Sequence, residues 1–494
     1  MSGIRWDDRA GRPGVTWSRR QVLQGTLGGA ALLGGAVRGQ AAQAQLATPV
    51  ASVPPRDDGT PGPVAPAEAP IDHIMVIFLE NRSFDHLYGG FPGANGLQSP
   101  GALIPQTDRD GRPYTVLPPV LDASKNPPVP DPRFPPDLPN QPFPIAPYMA
   151  LDVSDANPGH RYYNHILQIN GGRLDRYVAW SDSGGLAMGY HDTSKLPLYP
   201  YAREFTLLDH CFTGALGGSM LNHIWLISAA TPVWPGAPAE RIAVPVYDEF
   251  GRLIGLEKDG DVTPDGYCVN NAQPFFPPYL ADTPVAERLP PQVMATIGDR
   301  LSDAGVSWGW FGGGWDDAVA GNPPPTFQFH HHPFVFFARY AEGMPGREHL
   351  RDETEFADAV ARGTLPAVSF VKPLGKFTEH AGYASVAASE QHAVELIEAV
   401  MASSLWERSA IILTYDDFGG WFDHVAPPRI DRWGPGGRVP TIVVSPYARK
   451  GHIDATPYDH TSILAFISWR FGLPPLTNRD ANAYNLLAAF DFPR

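Results

Sequence analysis

Two hydrophobic segments that lie far apart in this chain each end in adjacent oxygen-bearing side chains. The first, HIMVIFL, is followed by Glu80 and Asn81, and the second, AIILTY, is followed by Asp416 and Asp417. Uninterrupted apolar runs of this length are typical of strands buried on both faces of an α/β sheet. Because ligands bind outside the carboxyl ends of such strands, we expect the two pairs to meet at one place.

Three carboxylates and one amide carbonyl at one place predict a site for one divalent metal ion. Oxygen ligands favour Ca²⁺, Mg²⁺ or Mn²⁺, whereas zinc sites more often contain Cys and His. The alternative is that such residues cap helices or lie in solvated turns. That alternative explains a single pair well, but two pairs at matching strand ends favour the metal site.

A glycine-rich turn precedes a candidate nucleophile. The segment TLLDHCFTGALGGSMLNHIWLISAA is typical of a short strand, a turn and a helix that begins near Ser219. Gly217 and Gly218 allow close backbone approach, and Ser is a favoured N-cap. The unpaired N–H groups and the dipole at a helix N-terminus favour an anion such as phosphate. Asn222 lies on the same helix face as Ser219 and is expected to donate to an oxyanion.

Two other interpretations of this turn were weighed. In the simpler one, Ser219 only caps the helix and its neighbours make ordinary buried hydrogen bonds. In the other, the turn is the nucleophile elbow of an α/β-hydrolase, which requires the pattern G-x-S-x-G. Gly218-Ser219-Met220-Leu221 lacks the second glycine. A Ser-His-Asp esterase is therefore excluded.

Histidines are concentrated in a few places and form a second group of candidates. An imidazole can bind phosphoryl oxygens or protonate a leaving group near neutral pH. For His165, His223 and His332 we expect packing in the core, and at most two of the three adjacent rings in FQFHHHPF should reach a site. The remaining candidates are His160, His330, His331 and His380.

Several longer segments carry a family resemblance. They are DHIMVIFLENRSFDHLYGGFPGANGL, HRYYNHILQINGGRLDRYVAWSDSGGLAMGY, FGGGWDDA with FQFHHHPF, VSFVKP, TYDDFGGWFDHVAPP and RVPTIVVSPYARKGHIDATPYDHTSIL. In order, and over most of residues 71–494, they resemble the bacterial phosphoesterase family of secreted acid phosphatases and phosphocholine-preferring phospholipases C. The resemblance implies an α/β fold similar to that of alkaline phosphatase and sulfatases, with a doubly wound, mostly parallel sheet and helices on both faces.

The resemblance also implies roles for individual residues. It places Ser219 as the nucleophile of a phosphoserine mechanism and His380 as a further active-site histidine; His380 or His330 would protonate the leaving alcohol. The implied phosphate contacts are His160, Asn222, His331 and His330. The implied metal ligands are Glu80, Asn81, Asp416, Asp417 and Ser219.

Two observations bear on the branch of this family. Phospholipases of the family usually carry C-terminal β-rich modules, whereas this chain ends soon after YDHTSIL, and GGSMLNH resembles the acid-phosphatase version of the nucleophile turn. Both favour hydrolysis of phosphomonoesters. A phospholipase C on phosphocholine diesters remains the alternative, for which Trp310, Trp315 and Trp421 are candidates for an aromatic cage around a quaternary ammonium. A catalytically silent phospho-ligand or metal-binding protein is the alternative from another class, and a secreted partner-binding protein that uses its proline-rich segment is a weaker one.

The N-terminus has the features of an export signal. Arg19 and Arg20 precede a short apolar stretch, and small residues end at Ala44. This pattern predicts a twin-arginine signal peptide over residues 1–44. The expected partner is the twin-arginine export machinery, and the expected location is periplasmic or secreted, without a stable membrane anchor.

The rest of the chain is expected to form one catalytic domain over residues 71–494, because the predicted metal ligands span most of its length. Residues 45–70 are rich in Pro and Ala and predict a disordered linker. Residues 103–147 are a proline-dense insertion that excludes long regular elements, and we expect part of it to border the active-site entrance.

Charge and cysteine content narrow the possible partners. The formal net charge is −15 at pH 7, which argues against nonspecific binding to nucleic acid or anionic membranes. The phosphate-ester substrate that the resemblance implies would be bound locally at the metal. Cys211 and Cys268 are the two cysteines, and an exported chain permits either one disulfide or two free thiols.

Overall fold

The structure, a computed structural model, describes residues 65–122, 125, 127–151 and 157–493. The predicted signal peptide and most of the predicted linker lie outside the described residues. At the end of that linker, Pro66–Glu68 form a short 3-10 helix and Ala69 is buried. Residues 65–68 are exposed, so that Ala69 is the buried contact at the end of the predicted linker, and the expected disorder of the linker stays a prediction.

The described helices and strands are numbered in chain order. The helices are α1 (Phe84–Tyr88), α2 (Tyr162–Ile169), α3 (Tyr199–Glu204), α4 (Ser219–Ser228), α5 (Ile297–Asp303), α6 (Trp315–Val319), α7 (Glu353–Arg362), α8 (Val386–Met401), α9 (His460–Phe471) and α10 (Asn478–Ala481). The strands are β1 (His73–Leu79), β2 (Leu121–Asp122), β3 (Val129–Pro130), β4 (Phe143–Pro144), β5 (Gly189–Tyr190), β6 (Thr206–Leu208), β7 (Cys211–Phe212), β8 (Val244–Tyr247), β9 (Leu253–Lys258), β10 (Gln273–Pro274), β11 (Arg288–Leu289), β12 (Trp308–Gly312), β13 (Leu350–Asp352), β14 (Val368–Lys372), β15 (Ser409–Tyr415), β16 (Thr441–Val444), β17 (His452–Asp454) and β18 (Tyr458–Asp459).

A mostly parallel sheet of eight strands forms the centre of the fold. Its order is β13-β12-β14-β1-β15-β16-β6-β17. β16 runs antiparallel to both of its neighbours, whereas every other pairing in the sheet is parallel. The sheet extends from β1 in both directions, and helices pack against it. The predicted α/β, doubly wound, mostly parallel architecture is confirmed.

The register of the central strands places the predicted metal ligands side by side. β1 is buried along almost its whole length because strands and helices cover both of its faces. Leu79 at the end of β1 pairs with Tyr415 at the end of β15. The next residues along each chain segment, Glu80 and Asp416, therefore leave the sheet at the same edge.

Two helices explain how the sheet is covered and how the nucleophile turn is fixed. α8 buries Ala393, Leu396, Ile397 and Val400 on one face directly before β15, with the spacing of an amphipathic helix. α4 is buried at every one of its residues. A helix that is enclosed on all sides holds its first turn in a fixed place, which matters for any group at its N-terminus.

The proline-dense insertion contains short strands after all. β2 pairs with β3, and β4 pairs with β5 outside the insertion. Val120 makes a bridge with Gly184, and the side chains of Leu117 and Val120 are buried. Backbone hydrogen bonds thus tie the insertion to the 174–190 segment, and its place at the active-site entrance stays a prediction.

Cys211 and Cys268 are both buried free thiols. The alternative of a disulfide between them is therefore wrong in this fold. Burial raises the pKa of Cys211 to about 12, and it also raises the pKa of Cys268. Neither thiol is prepared to act as a nucleophile.

Within the part of the chain that the structure describes, no helix combines the length and the hydropathy required to cross a bilayer.

Candidate active site

Ser219 lies where the loops after β1 and β15 meet the start of α4. Its Oγ is 3.2 Å from Asn81 Oδ1 and 3.4 Å from Asp417 Oδ2. All three side chains are buried. Three of the predicted ligands therefore turn oxygen atoms towards one another, although they come from positions more than 300 residues apart at the extremes.

The nucleophile turn differs in one detail from the expectation. The N-cap of α4 is Gly218, and Ser219 is the first helical residue, without a side-chain capping bond. Its hydroxyl is therefore free to contact Asn81 and Asp417 instead of the helix backbone. Gly217 has φ +115°, a conformation that L side chains rarely adopt. A Cβ on Gly218 would lie 3.0 Å from the carbonyl oxygen of His160.

Asn81 links the serine to a neutral histidine. Its backbone N–H donates to Asp416 Oδ1 at 3.0 Å, and its Nδ2 donates to His160 Nε2 at 3.1 Å. His160 Nδ1 in turn donates to Pro158 O at 2.7 Å, which leaves Nε2 as the acceptor. Burial lowers the pKa of His160. His160 thus holds the Asn81 amide so that Oδ1 points at Ser219.

Asp416 and Asp417 are adjacent, fully buried carboxylates. Asp416 Oδ1 accepts from the N–H groups of Asn81 and Asp417, and Asp417 Oδ1 accepts from Gly419 N–H at 2.6 Å. Burial, with repulsion from Glu80, raises the pKa of Asp416 to about 7. Burial and the charge of Asp416 raise the pKa of Asp417 well above its usual range. Two such carboxylates need a positive charge between them to remain ionised.

Glu80 faces a different set of partners. Its Oε1 is 2.6 Å from Lys372 Nζ and in contact with His331 Nε2, and its Oε2 accepts from the Tyr383 hydroxyl at 3.4 Å. Although burial acts in the opposite direction, the charges of His331 and Lys372 hold the pKa of Glu80 well below its usual range. Glu80 is therefore an ionised carboxylate inside the site.

Lys372 was missed by the sequence analysis. It is the last residue of β14, which is directly beside β1, and its side chain is fully buried. Its ammonium group sits next to Glu80, as described above. The signal was the charged end of VSFVK, because a lysine that closes a fully apolar strand needs a buried partner.

His330, His331 and His380 line the same region. The His380 ring stacks on Tyr383 at 4.1 Å between centroids and lies 6.0 Å from the ring of His160. Burial lowers the pKa of His330 to about 4 and that of His380 to about 3. Near neutral pH the rings of His330 and His380 are therefore uncharged hydrogen-bonding groups, and they become protonated only in acid solution.

Asn222 is hydrogen-bonded to the turn that precedes α4. Its Oδ1 accepts from Ala215 N–H at 2.9 Å, and its Nδ2 donates to Gly217 O at 3.0 Å. Both ends of the Asn222 amide thus make hydrogen bonds with the backbone of the turn before α4. Because Nδ2 carries two hydrogens, the expected donation from Asn222 to a substrate oxyanion stays a prediction.

His223 departs from the expectation of simple core packing. Its Nδ1 donates to Ser219 O at 2.7 Å, and its Nε2 is buried without a hydrogen-bond partner among the described residues. Its ring stacks on His331 with 5.2 Å between centroids. No sequence pattern could reveal this contact, since the direction of the His223 ring depends on the segment that carries His331.

The other two histidines expected in the core are found there. His165 Nδ1 accepts from Gly217 N–H at 3.0 Å, and the ring stacks on Phe418. His332 stacks on Trp315 at 4.5 Å. Both rings are buried, so the core reading of these two is confirmed.

The three tryptophans considered for an aromatic cage pack in separate surroundings. Trp310 stacks on Phe370. Trp315 packs with His332 and Arg347, and Trp421 lies over His86 at 3.8 Å. Each ring is buried by core neighbours. Their contacts are those of core packing, the alternative to a cage.

The residues fit a divalent cation on physical grounds. Asp416 Oδ2 is buried and makes no hydrogen bond among the described residues. The oxygens of Asn81, Asp417 and Ser219 converge beside it, and Glu80, His223 and His331 offer ligand atoms that lie within 4.8 Å of one another. Buried acceptors that converge without donors are the arrangement that a bound ion satisfies.

Comparisons with known proteins agree with this chemistry. The sequence model of the Phosphoesterase family matches residues 71–474. The chain is 25% identical to non-hemolytic phospholipase C of Burkholderia pseudomallei, with 85% of this chain and 59% of the relative covered. It is 27% identical to phospholipase C A of Mycobacterium tuberculosis, with 85% and 77% covered. The chain thus spans little more than half the length of the first of these relatives.

Among solved structures, a protein in the alkaline phosphatase superfamily from Vibrio parahaemolyticus is 12% identical. The alignment covers 66% of this chain and 72% of that chain, with a TM-score of 0.32.

Proposed function

The chain belongs to the Phosphoesterase family, and from this premise we propose that it is a metal-dependent hydrolase of phosphate esters with Ser219 as the nucleophile. The observation that carries the proposal is the position of Ser219 Oγ between Asn81 Oδ1 and Asp417 Oδ2. The Ser219 hydroxyl is buried, does not cap the helix, and lies against two oxygen atoms that can bind a metal ion. It is therefore placed to be deprotonated to an alkoxide beside such an ion.

Glu80, Asn81, Asp416, Asp417 and Ser219 are proposed to hold one divalent ion, with Ca²⁺, Mg²⁺ or Mn²⁺ preferred. When bound, such an ion lowers the pKa of the hydroxyl and neutralises charge on the phosphoryl oxygens. With the ion bound, the carboxylates of Asp416 and Asp417 would remain ionised, because the positive charge would offset their burial and mutual repulsion.

The reaction itself uses groups of this chain. Ser219 Oγ attacks phosphorus in line, the bond to the leaving oxygen breaks, and water later hydrolyses the phosphoserine. The backbone N–H of Ser219 has no intrahelical acceptor and faces the phosphoryl group from the start of α4. His160 and His331 are proposed to orient the phosphoryl oxygens, and Asn222 holds the turn that presents the serine.

His330 or His380 is proposed to give a proton to the leaving alcohol. Both have a lowered pKa because they are buried, so that their protonated forms are more abundant in acid solution. The finer assignment, an acid phosphatase acting on phosphomonoesters, is proposed from the serine-containing GGSMLNH turn. The names of the relatives favour phospholipase C as the second candidate.

The test compares nitrophenyl phosphate with nitrophenyl phosphorylcholine, with and without EDTA. We expect wild type to hydrolyse the monoester, and Ser219→Ala and chelated wild type to lose at least about a thousandfold in kcat. Ser228→Ala is the matched control, since its hydroxyl donates to Ile224 O at the other end of α4, and it should retain activity.

The outcomes separate the candidates. Preference for the choline ester assigns the phospholipase C branch. Turnover that survives in Ser219→Ala refutes the nucleophile. An absence of turnover by the metal-loaded wild type puts a silent phospho-ligand or metal-binding protein first.

Export by the twin-arginine route to the periplasm or beyond is proposed on the basis of Arg19 and Arg20, which lie outside the described residues. Replacing both by lysine should retain the chain in the cytoplasm, as fractionation of the cells would measure. Processing that continues unchanged in this variant contradicts the proposal.

A further inference from the structure

A second set of possible metal-ligand atoms lies beside the oxygen atoms around Ser219. Glu80 Oε1 and one ring nitrogen each of His223 and His331 are within 4.8 Å of one another. The three side chains are almost completely buried, with His331 the most exposed at 3%. This set contains two imidazoles, whereas the set around Ser219 consists of oxygens.

The tautomer of His223 makes one of these nitrogens an acceptor. Its Nδ1 donates to Ser219 O, so that Nε2 carries a lone pair in the neutral ring. That Nε2 has no hydrogen-bond partner within the described part of the chain. The ring of His331 is parallel to it, with 3° between the planes. Two imidazoles and one carboxylate form a donor set that is typical of zinc.

A cation of the protein already occupies this neighbourhood. Lys372 Nζ is 2.6 Å from Glu80 Oε1, the same oxygen that contacts His331. The ammonium also lies 3.5 Å from Leu79 O and 5.4 Å from the centroid of the Phe78 ring. The lysine is fully buried and comes from a strand adjacent to β1, so that it is fixed at this position.

We propose that Glu80, His223 and His331 form a second cation position at this centre, and that the ammonium of Lys372, through its ion pair with Glu80 Oε1, keeps a second metal ion out of it. The inference rests on the proposed function in one respect, which is that the oxygen set around Ser219 holds the single catalytic ion.

Electrostatics explains why one cation excludes another here. A buried carboxylate needs a positive partner, and a lysine supplies it permanently, whatever the supply of metal. A divalent ion on Glu80 Oε1 would stand within a few ångströms of the ammonium and be repelled by it. Removal of the ammonium leaves two histidines and one glutamate buried without a cation. These three residues should then bind a divalent metal ion such as Zn²⁺.

The experiment strips all resident metal, equilibrates the protein with Zn²⁺ as the sole divalent ion so that the oxygen set around Ser219 also takes up zinc, removes free metal, and counts the zinc bound to wild type and to Lys372→Met. We expect one zinc per chain in wild type and two in Lys372→Met, and one in Lys372→Arg, which keeps the cation. Adding His223→Phe to Lys372→Met should abolish the second zinc. The matched control adds His332→Phe, which removes a buried ring outside the set, and should retain both ions.

Each outcome is decisive without any measurement of turnover. One zinc in a folded Lys372→Met, or two in wild type, overturns the inference and leaves the proposed function intact. A wild type without bound metal overturns both. If Lys372→Met folds only when Zn²⁺ is supplied, the inference is supported. If neither it nor Lys372→Gln, which keeps a donor for Glu80, folds even with Zn²⁺, the inference is overturned.

Discussion

Burial controls the charge of single histidines throughout this chain, and His460 shows the effect away from the candidate site. Its Nδ1 accepts from Gly214 N–H at 3.1 Å, and its Nε2 donates to Tyr415 O at 2.9 Å. The neutral ring is thus fully hydrogen-bonded. Burial lowers its pKa to about 4.

A pH dependence of stability follows from His460. Its folded pKa lies below the usual value, so that the unfolded chain binds the extra proton first, and stability is lost as the pH falls. Between pH 7 and pH 5 we expect this residue to contribute a loss of about 2 kcal/mol. Urea unfolding at both values should show a smaller difference for His460→Asn than for wild type. An equal difference in the two proteins contradicts the assignment.

The thiols give a second prediction for single residues. Cys211 and Cys268 are buried and free, so that a thiol reagent should label neither in the native protein. Both should react in urea without prior reduction. Reductant should leave the melting temperature unchanged, and a fall in that temperature on reduction would instead demonstrate a disulfide.

The site residues that the sequence identified are those that follow strand ends directly. Asn81, Asp416 and Asp417 leave β1 and β15 at one edge, and a parallel register makes their meeting predictable. The hydrogen-bond partners of Asn222 and His223 were not predictable, because helical spacing gives the face on which a side chain lies and not its partner. For both residues that partner is a backbone carbonyl at or just before the start of α4.

Among the elements, the turn before α4 leaves little space for an added side chain. A Cβ at position 218 would lie 3.0 Å from His160 O and 3.2 Å from the His160 ring. Gly218→Ala should therefore displace the histidine that orients Asn81, and kcat should fall at least about tenfold. Stability should change little. Steady-state kinetics and thermal melts measure the two effects.

The control for this substitution is Gly90→Ala, because a Cβ at position 90 meets nothing within 4 Å. It should retain both activity and melting temperature. If Gly218→Ala also retains full activity, the His160–Asn81 contact has no part in positioning the serine.

The elements that the sequence predicted well are those with strong periodicity. β1 and β15 are buried on both faces, which requires the continuous apolar runs seen in their sequences. α8 is buried along one stripe, which requires apolar residues at helical spacing. The direction of β16 was not predictable, since TIVV carries the same apolar residues whether the strand runs parallel or antiparallel. The short strands of the insertion were missed because two-residue ladders depend on distant partners such as Gly189.

At the scale of the whole molecule, one buried arginine ties four distant segments together. Arg438 donates to Asp423 Oδ1 at 2.8 Å, to Asp85 Oδ1 at 3.1 Å, and to the carbonyl oxygens of Asn95 and Asp209 at 2.8 Å. Asp85 and Asp423, with His424, also form a group of possible metal ligands. The guanidinium already compensates these carboxylates, so that this group is a structural network.

Loss of this arginine should destabilise the whole fold. Arg438→Met leaves two buried carboxylates without their cation, and we expect the free energy of unfolding to fall by about 3–5 kcal/mol. The control is Arg432→Met, whose partner Asp265 is half exposed, and which should cost at most about 1 kcal/mol. Urea unfolding of the three proteins measures both. Equal losses in the two variants would show that Arg438 is no more than a surface ion pair.

The central position of β1 has a consequence for the time course of synthesis. Ile74 pairs with Val368 and with Ala410, so that the first strand of the sheet emerges about 300 residues before either neighbour exists. At roughly 5–20 residues per second, it waits for about 15–60 s. During that interval an apolar strand with two unpaired edges is a ready target for other chains. We expect the growing polypeptide to rely on chaperone cover until β14 and β15 have left the ribosome.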